Sequence, residues 1–126
     1  MPDLKLAQLQ SERDTWKRLL AFMKDENVHL KNRLAEILKN KIDNNLLDDI
    51  ENFYSVFLKQ DELIDLLRFE LADLDKLLVR ELAEDGINIS KVEKKIKTVR
   101  KDIEHAEQYF SRLKSEFNSY LSENIQ

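Results

Sequence analysis

The sequence predicts an all-α protein, an elongated antiparallel up-down-up three-helix bundle of coiled-coil type. The first observation is composition, since the 126 residues include one glycine, one proline and 37% charged side chains. Tight turns and hairpins rely on glycine and proline, so this composition disfavours β-rich folds and glycine-rich phosphate loops. The second observation is periodicity, because apolar residues recur every three or four positions over three long blocks. The length suits one domain spanning residues 1–126.

The first helix is expected over about residues 3–40. Every seventh residue through this block is apolar, and further leucines four positions away fall on the same helical face. This seam consists of Leu9, Trp16, Met23, Leu30 and Ile37, joined by Leu6, Leu20 and Leu34. A pattern sustained over about five heptads favours a long helix that buries one face against its neighbours.

The second and third helices are expected over about residues 45–84 and 90–123. Both carry seams at coiled-coil spacing, and only the second seam contains a polar residue. It consists of Leu46, Ile50, Phe53, Phe57, Gln60, Ile64, Leu67, Leu71, Leu74 and Leu78. The third seam consists of Ile89, Val92, Ile96, Val99, Ile103, Ala106, Phe110, Leu113, Phe117 and Tyr120.

Two breaks separate the three blocks. Asp43, Asn44 and Asn45 compete with helix through local side-chain hydrogen bonds, and Asn45 with Asp48 is expected to cap the second helix. Gly86 follows the second block, where a helix C-terminus favours a left-handed residue. Such short connections force consecutive helices to run antiparallel. In outline, three long helices with a tryptophan in the first seam resemble a spectrin-repeat-type bundle, and the resemblance implies the fold alone.

Charge is segregated along the chain. Residues 1–40, 41–86 and 87–126 carry net charges of +2, −8 and +2. An acidic middle helix beside two basic ones favours the antiparallel arrangement. The densest basic run of the third helix is therefore expected to lie beside the acidic end of the second and to be neutralised by it. The basic run is Lys91, Lys94, Lys95, Lys97, Arg100 and Lys101, and the acidic end is Asp73, Asp75, Glu81, Glu84 and Asp85.

Polar residues interrupt the apolar seams at one level of the predicted bundle. Asn27 lies in the first seam and Gln60, with Asp61, in the second, and a turn near residue 43 brings them opposite one another. Polar groups that meet within an apolar seam can fix helix register at some cost in stability. We favour a register device. A ligand- or metal-binding bundle that uses this polar layer and nearby His29 is the alternative.

Residues suited to catalysis or metal binding are sparse. Glu26 with His29 and Asp102 with His105 have the carboxylate–histidine spacing of di-metal bundles. However, the two histidines should lie about 16 Å apart along the bundle at 1.5 Å per residue, and both fall off the seams. We therefore expect surface histidines. Without cysteine, a phosphate loop or a recognisable Ser/His/Asp pattern, we expect no enzymatic activity and no cofactor.

The outward faces of the helices differ. Those of the third helix are polar, whereas the second helix carries an additional apolar stripe away from its seam, and the first a weaker one. Three interpretations stay open: burial within a wide core, a homodimer through the face formed by the first two helices, or binding of a protein partner. The second stripe is Leu58, Leu66, Phe69, Ala72, Val79 and Ala83, and the weaker stripe is Ala21, Val28, Ala35 and Leu38.

The expected function is therefore a non-enzymatic protein–protein interaction module, a scaffold, adaptor or assembly subunit. Its partner would be another protein or a second copy of the chain. Nucleic acid is not an expected partner, because the net charge is −4 and no aromatic residue interleaves the basic run. No signal peptide or stretch of ~18 apolar residues is apparent, so we expect a cytoplasmic protein without a membrane role.

Overall fold

Three α-helices make up the fold. The computed structural model describes residues 2–40, 43–83 and 89–125. Over these residues the helices are α1 (Pro2–Leu38), α2 (Asn44–Ala83) and α3 (Ile89–Asn124). α2 packs along both α1 and α3, which touch each other less closely. The predicted all-α three-helix bundle is confirmed, and every helix end lies within two residues of its predicted position.

Ion pairs between the helices establish their directions. In the ion pairs between α1 and α2, a higher residue number on α1 goes with a lower residue number on α2, so these helices are antiparallel. From α1 to α3 the numbers rise together, so the outer helices are parallel. The α1–α2 pairs include Lys17–Asp75, Lys24–Asp65 and Lys31–Asp61, and the α1–α3 pairs include Glu12–Arg100 and Glu26–Lys114.

The core lies between the three seams and runs the length of the bundle. Nearly all the predicted seam residues whose side chains are described are buried or packed against the buried cluster. A cluster of aromatic rings fills the core near the start of α2 and the end of α3. There the rings of Phe53 and Phe57 lie 5.1 Å from that of Phe117, and Phe53 also lies 5.4 Å from Tyr120. These contacts bury large apolar area at the contact between α2 and α3.

The start of α2 differs from the prediction in its capping residue. Asp43 Oδ1 accepts a hydrogen bond from the Asn45 amide at 3.3 Å, and the Asp43 carbonyl accepts from the Leu46 and Leu47 amides at 2.9 and 3.0 Å. Aspartate at this position satisfies amides of the first turn that have no helical partner. The expectation that Asn45 with Asp48 caps α2 is therefore wrong. Gly86, the predicted end signal of α2, lies outside the described residues.

Candidate functional site: an exposed face and a buried polar layer

The structure brings Asn27, Gln60 and Asp61 together between α1 and α2. Asn27 and Gln60 are buried, and Asp61 is largely so. Asn27 Nδ2 donates to the Phe57 carbonyl at 2.9 Å and to Asp61 Oδ1 at 2.7 Å. These two bonds attach α1 to a backbone and a side-chain acceptor one helical turn apart on α2. They therefore favour one register of the two helices over its neighbours.

Two lysines of α1 complete the polar layer at its outer edge. Lys31 forms an ion pair and hydrogen bond with Asp61 Oδ2, and Lys24 Nζ lies 3.5 Å from Asp61 Oδ1. Burial raises the pKa of the Asp61 carboxyl, but the hydrogen bonds from Lys31 and Asn27, together with both lysine charges, hold it below its ordinary value of 3.8. Asp61 is therefore ionised at neutral pH, and the layer contains a compensated charge.

The layer also contains unsatisfied groups. Among the described residues, Asn27 Oδ1 and Gln60 Nε2 are buried atoms without a hydrogen-bond partner. An unpaired buried amide group destabilises the folded state by about 1–3 kcal/mol. This geometry fits the register interpretation, in which polar residues reduce stability while restricting how the helices pair.

The five residues of the second stripe whose side chains are described are all exposed, and the side chain of Ala83 lies outside the described set. Phe69 and Val79 have 66% and 63% of their surface accessible, Leu66 has 55% and Leu58 has 42%, and Ala72 is also exposed. The interpretation in which α2 buries both of its stripes within the bundle is therefore wrong for the isolated chain. The polar back of α3 is likewise exposed, so the outer apolar surface belongs mainly to α1 and α2.

The second stripe crosses the back of α2 instead of following one edge. Leu58, Ala72 and Val79 share a seven-residue row with Asp65, whose carboxylate lies 3.1 Å from Lys24 of α1. This row therefore forms the shoulder of α2 that faces α1. Leu66 belongs to the row of Asn52, which lines a groove against α3. Phe69 lies between the two rows, at the position farthest from the core.

The α1-facing shoulder of α2 meets an apolar row on α1. The bond from Asn27 to the Phe57 carbonyl sets these residues at one level. Val28 and Leu58 each follow one of these residues, and because α1 and α2 are antiparallel the two lie about 3 Å apart along the bundle axis, well within one helical turn. They are 40% and 42% exposed. We call the surface that α1 and α2 form on the side away from α3 the α1–α2 face. Its apolar residues are Ala21, Val28 and Ala35 on α1 and Leu58, Ala72 and Val79 on α2.

Two members of the predicted pairing between the basic run of α3 and the acidic end of α2, Arg100 and Asp75, instead contact α1. Asp75, expected beside the basic run, lies 3.1 Å from Arg13 Nε of α1 and also pairs with Lys17. Arg100 instead makes a two-point contact with Glu12 of α1, with Nη2 2.8 Å from Oε2, and lies 5.9 Å from the Trp16 ring. The hydrogen bond with Glu12 raises the pKa of Arg100. The remaining run residues are exposed or half-buried, and side chains 81–89 lie outside the described set.

A groove between α2 and α3 has a volume of about 390 Å³. Phe53, Val56 and Leu113 contribute apolar surface to it, and Tyr120 donates a hydrogen bond to Asp49 at 3.0 Å on its edge. Burial and the adjacent Asp49 carboxylate raise the pKa of Tyr120 to about 12. The phenol therefore stays neutral at physiological pH and links the start of α2 to the end of α3.

The histidines lie outside this geometry. His29 and His105 are both exposed, and Glu26, which precedes His29 by one helical turn, pairs with Lys114 at 3.0 Å. Within residues 2–40, 43–83 and 89–125, no three His, Asp or Glu side chains converge as a metal site would require. No described helix has the length and apolar character needed to cross a membrane.

Sequence reasoning missed the lysines that complete the polar layer and the exposed ring of Tyr54. Lys24 and Lys31 occupy equivalent positions one heptad apart, beside the α1 seam, and this spacing could have indicated that they reach across to α2. Tyr54 follows the seam residue Phe53 directly and was hidden within an apolar run. Searches against protein-family models, curated proteins and solved structures gave no match. The outline resemblance to a spectrin-repeat bundle therefore rests on helix lengths and the placement of Trp16.

Proposed function

We propose that this chain is a non-enzymatic protein–protein interaction module that presents the second stripe of α2 to a protein partner. The observation that carries the proposal is the exposure of Phe69, a residue with 66% of its surface accessible at the outermost position of a long helix. Exposed aromatic side chains surrounded by polar residues are typical anchors of protein interfaces. The chain would act as a scaffold, adaptor or assembly subunit in the cytoplasm.

The surroundings of Phe69 support the same function. Leu66 precedes it by about one helical turn and Ala72 follows by one, so apolar contacts extend along the helix axis on both sides. Charged Arg68 and Asp73 lie beside this strip and are exposed. A partner helix with an apolar face flanked by charges would match such a surface. The long helices restrict movement of the anchor before binding, which lowers the entropic cost of association.

The ligand- or metal-binding alternative has no comparable support. It requires His29 to converge with Asn27 and Gln60, whereas His29 is exposed and the two amides are buried within the bundle. The polar layer is better explained by its role in pairing α1 with α2.

The proposal is tested by comparing proteins retained from a cell extract by the immobilised wild type and by Phe69→Asp. Ser111→Asp, on the exposed polar back of α3, is the matched control. We expect at least one protein to bind the wild type and Ser111→Asp and to be lost, by tenfold or more, from Phe69→Asp. Circular dichroism should show equal helix content in all three chains. Identical sets of retained proteins would contradict the proposal.

A further inference from the structure

We propose that the α1–α2 face binds a second copy of this chain, with α1 of each copy lying against α2 of the other. This inference rests on the proposed function insofar as it makes exposed apolar residues of α2 an interface. It goes further by naming the occupant and by assigning the self-contact to the α1-facing shoulder of α2. Phe69 and Leu66 would remain outside the self-contact and available to another partner.

The apolar side chains of the α1–α2 face come from both helices. On α1, Ala21, Val28 and Ala35 are spaced seven residues apart and are exposed. On α2, the row that contains Leu58 and Val79 is exposed at equivalent positions. Because Val28 and Leu58 lie within one helical turn of each other along the bundle axis, the two rows form the sides of a shared two-helix groove. Rows of this kind beside the seam are typical of helices that contact more than two neighbours.

The charges on these two helices determine how a second copy would be oriented. The α1 side carries lysines and the α2 side carries aspartates, and within one chain the two sets pair with each other. They are Lys17, Lys24 and Lys31 on α1, and Asp61, Asp65 and Asp75 on α2. Of the aspartates only Asp65 is well exposed, with 58% of its side chain accessible. A second copy whose α2 lies against this α1 would place its Asp65 beside the lysine row, and the reverse contact would do the same, so that opposite charges alternate across the interface.

Only one two-fold arrangement gives that contact. A rotation of 180° about an axis parallel to the helices sets α1 on the partner's α2, antiparallel, and keeps every level opposite itself. The Val28–Leu58 level then meets the same level of the second copy. A two-fold axis that lies in the plane of the interface, perpendicular to the helices, would instead set α1 on α1 and α2 on α2. Because that arrangement brings lysines against lysines and aspartates against aspartates, the charges disfavour it.

The size of the face is sufficient for a stable dimer. α1 and α2 contain 37 and 40 residues. At 1.5 Å per residue and about 10 Å between helix axes, the face has an area on the order of 1,000 Å² per copy. A stable interface of standard size buries about 800 Å² per partner.

The test is molar mass in solution, measured by light scattering on a size-exclusion column over a concentration series. The chain has a mass of 15.0 kDa, so the wild type should approach twice that value as concentration rises. Val28→Asp and Leu58→Asp change opposite sides of the groove and should each give a monomer at the same concentrations. Phe69→Asp, with the same chemical change outside the face, should remain dimeric.

Two results would overturn the inference. One is a monomeric wild type at every concentration, which would leave the proposed function of Phe69 untouched. The other is a dimer that Phe69→Asp abolishes while Val28→Asp and Leu58→Asp do not, which would place self-association on the back of α2 instead. Circular dichroism identifies any variant that fails to fold. For such a position, Val28→Gln or Leu58→Gln replaces the aspartate variant and should raise the dissociation constant by tenfold or more.

Discussion

Gln60 and Asn27 occupy one buried level but should respond oppositely to the same substitution. Gln60 is buried, and among the described residues its Nε2 has no hydrogen-bond partner. Gln60→Leu replaces this amide by an apolar side chain of similar size. We expect it to raise the free energy of unfolding by about 1 kcal/mol. Asn27→Leu removes the donor to the Phe57 carbonyl and to Asp61 and leaves the largely buried Asp61 carboxylate with one hydrogen bond fewer. We expect it to lower the free energy of unfolding by about 1–3 kcal/mol.

The two variants control for each other, because each exchanges a buried amide for leucine at the same level. Thermal unfolding followed by circular dichroism should place Gln60→Leu several degrees above the wild type and Asn27→Leu below it. A clear decrease in melting temperature for Gln60→Leu would argue that Gln60 makes a stabilising contact. The polar layer would then be more than a device that selects register.

For individual residues, the sequence indicated which polar side chains would be buried but not which groups they hydrogen-bond to. Asn27 and Gln60 interrupt apolar seams, so their positions alone predict burial. One of the two acceptors of the Asn27 amide is the backbone carbonyl of Phe57, and a heptad pattern carries no information about backbone acceptors. Likewise, Asp43 and Asn45 are both competent N-caps, and only the path of the backbone selects Asp43.

At the level of whole helices, the contact of Tyr120 with Asp49 should make α2–α3 packing sensitive to alkaline pH. Burial and Asp49 raise the pKa of Tyr120 from 10.0 to about 12. The neutral phenol therefore adds stability that is complete below about pH 10 and is lost as pH rises through about 12. Denaturant unfolding of the wild type and Tyr120→Phe should show a stability difference that shrinks over this interval.

Phenol absorbance provides a direct check of the same prediction. The titration of the wild type should contain one tyrosine ionising near pH 12 that is missing from Tyr120→Phe. Asp49→Asn, which keeps a hydrogen-bond acceptor but removes the charge, should lower the pKa of Tyr120. A titration curve of the wild type that differs from that of Tyr120→Phe only near pH 10 would contradict the assigned contact.

The number, lengths and directions of the helices could be predicted from the sequence, whereas the ion pairs between helices could be predicted only in part. The seam of α3, from Val92 to Phe117, fixes its buried face, and short connections fix antiparallel neighbours. Net charge suggested that α2 would neutralise the basic run, yet Arg100 pairs with Glu12 and Asp75 with Arg13. Net charge per helix does not specify which shoulder of a helix carries each charge. That shoulder decides which neighbour is within reach.

Across the whole molecule, the asymmetry of apolar surface follows from the number of neighbours each helix has. α3 is apolar on one face and polar on its back, and its core face packs in the bundle. α1 and α2 both retain exposed apolar rows, such as those of Val28 and Leu58, after the three-helix core is complete. A three-helix bundle needs only one apolar face per helix. The proposed dimer would give these additional rows contacts beyond the single chain.

The arrangement of that dimer leads to a prediction about overall shape. With the two-fold axis parallel to the helices, the second copy adds width but no length, so the dimer should keep the extent of one bundle. Since α2 has 40 residues, that extent is about 60 Å at 1.5 Å per residue. Small-angle X-ray scattering should give wild type and monomeric Leu58→Asp similar maximum dimensions, although their masses differ twofold. A wild-type maximum dimension near 100 Å or above would instead indicate an end-to-end pairing, which leaves the Val28–Leu58 groove uncovered and contradicts the side-by-side geometry.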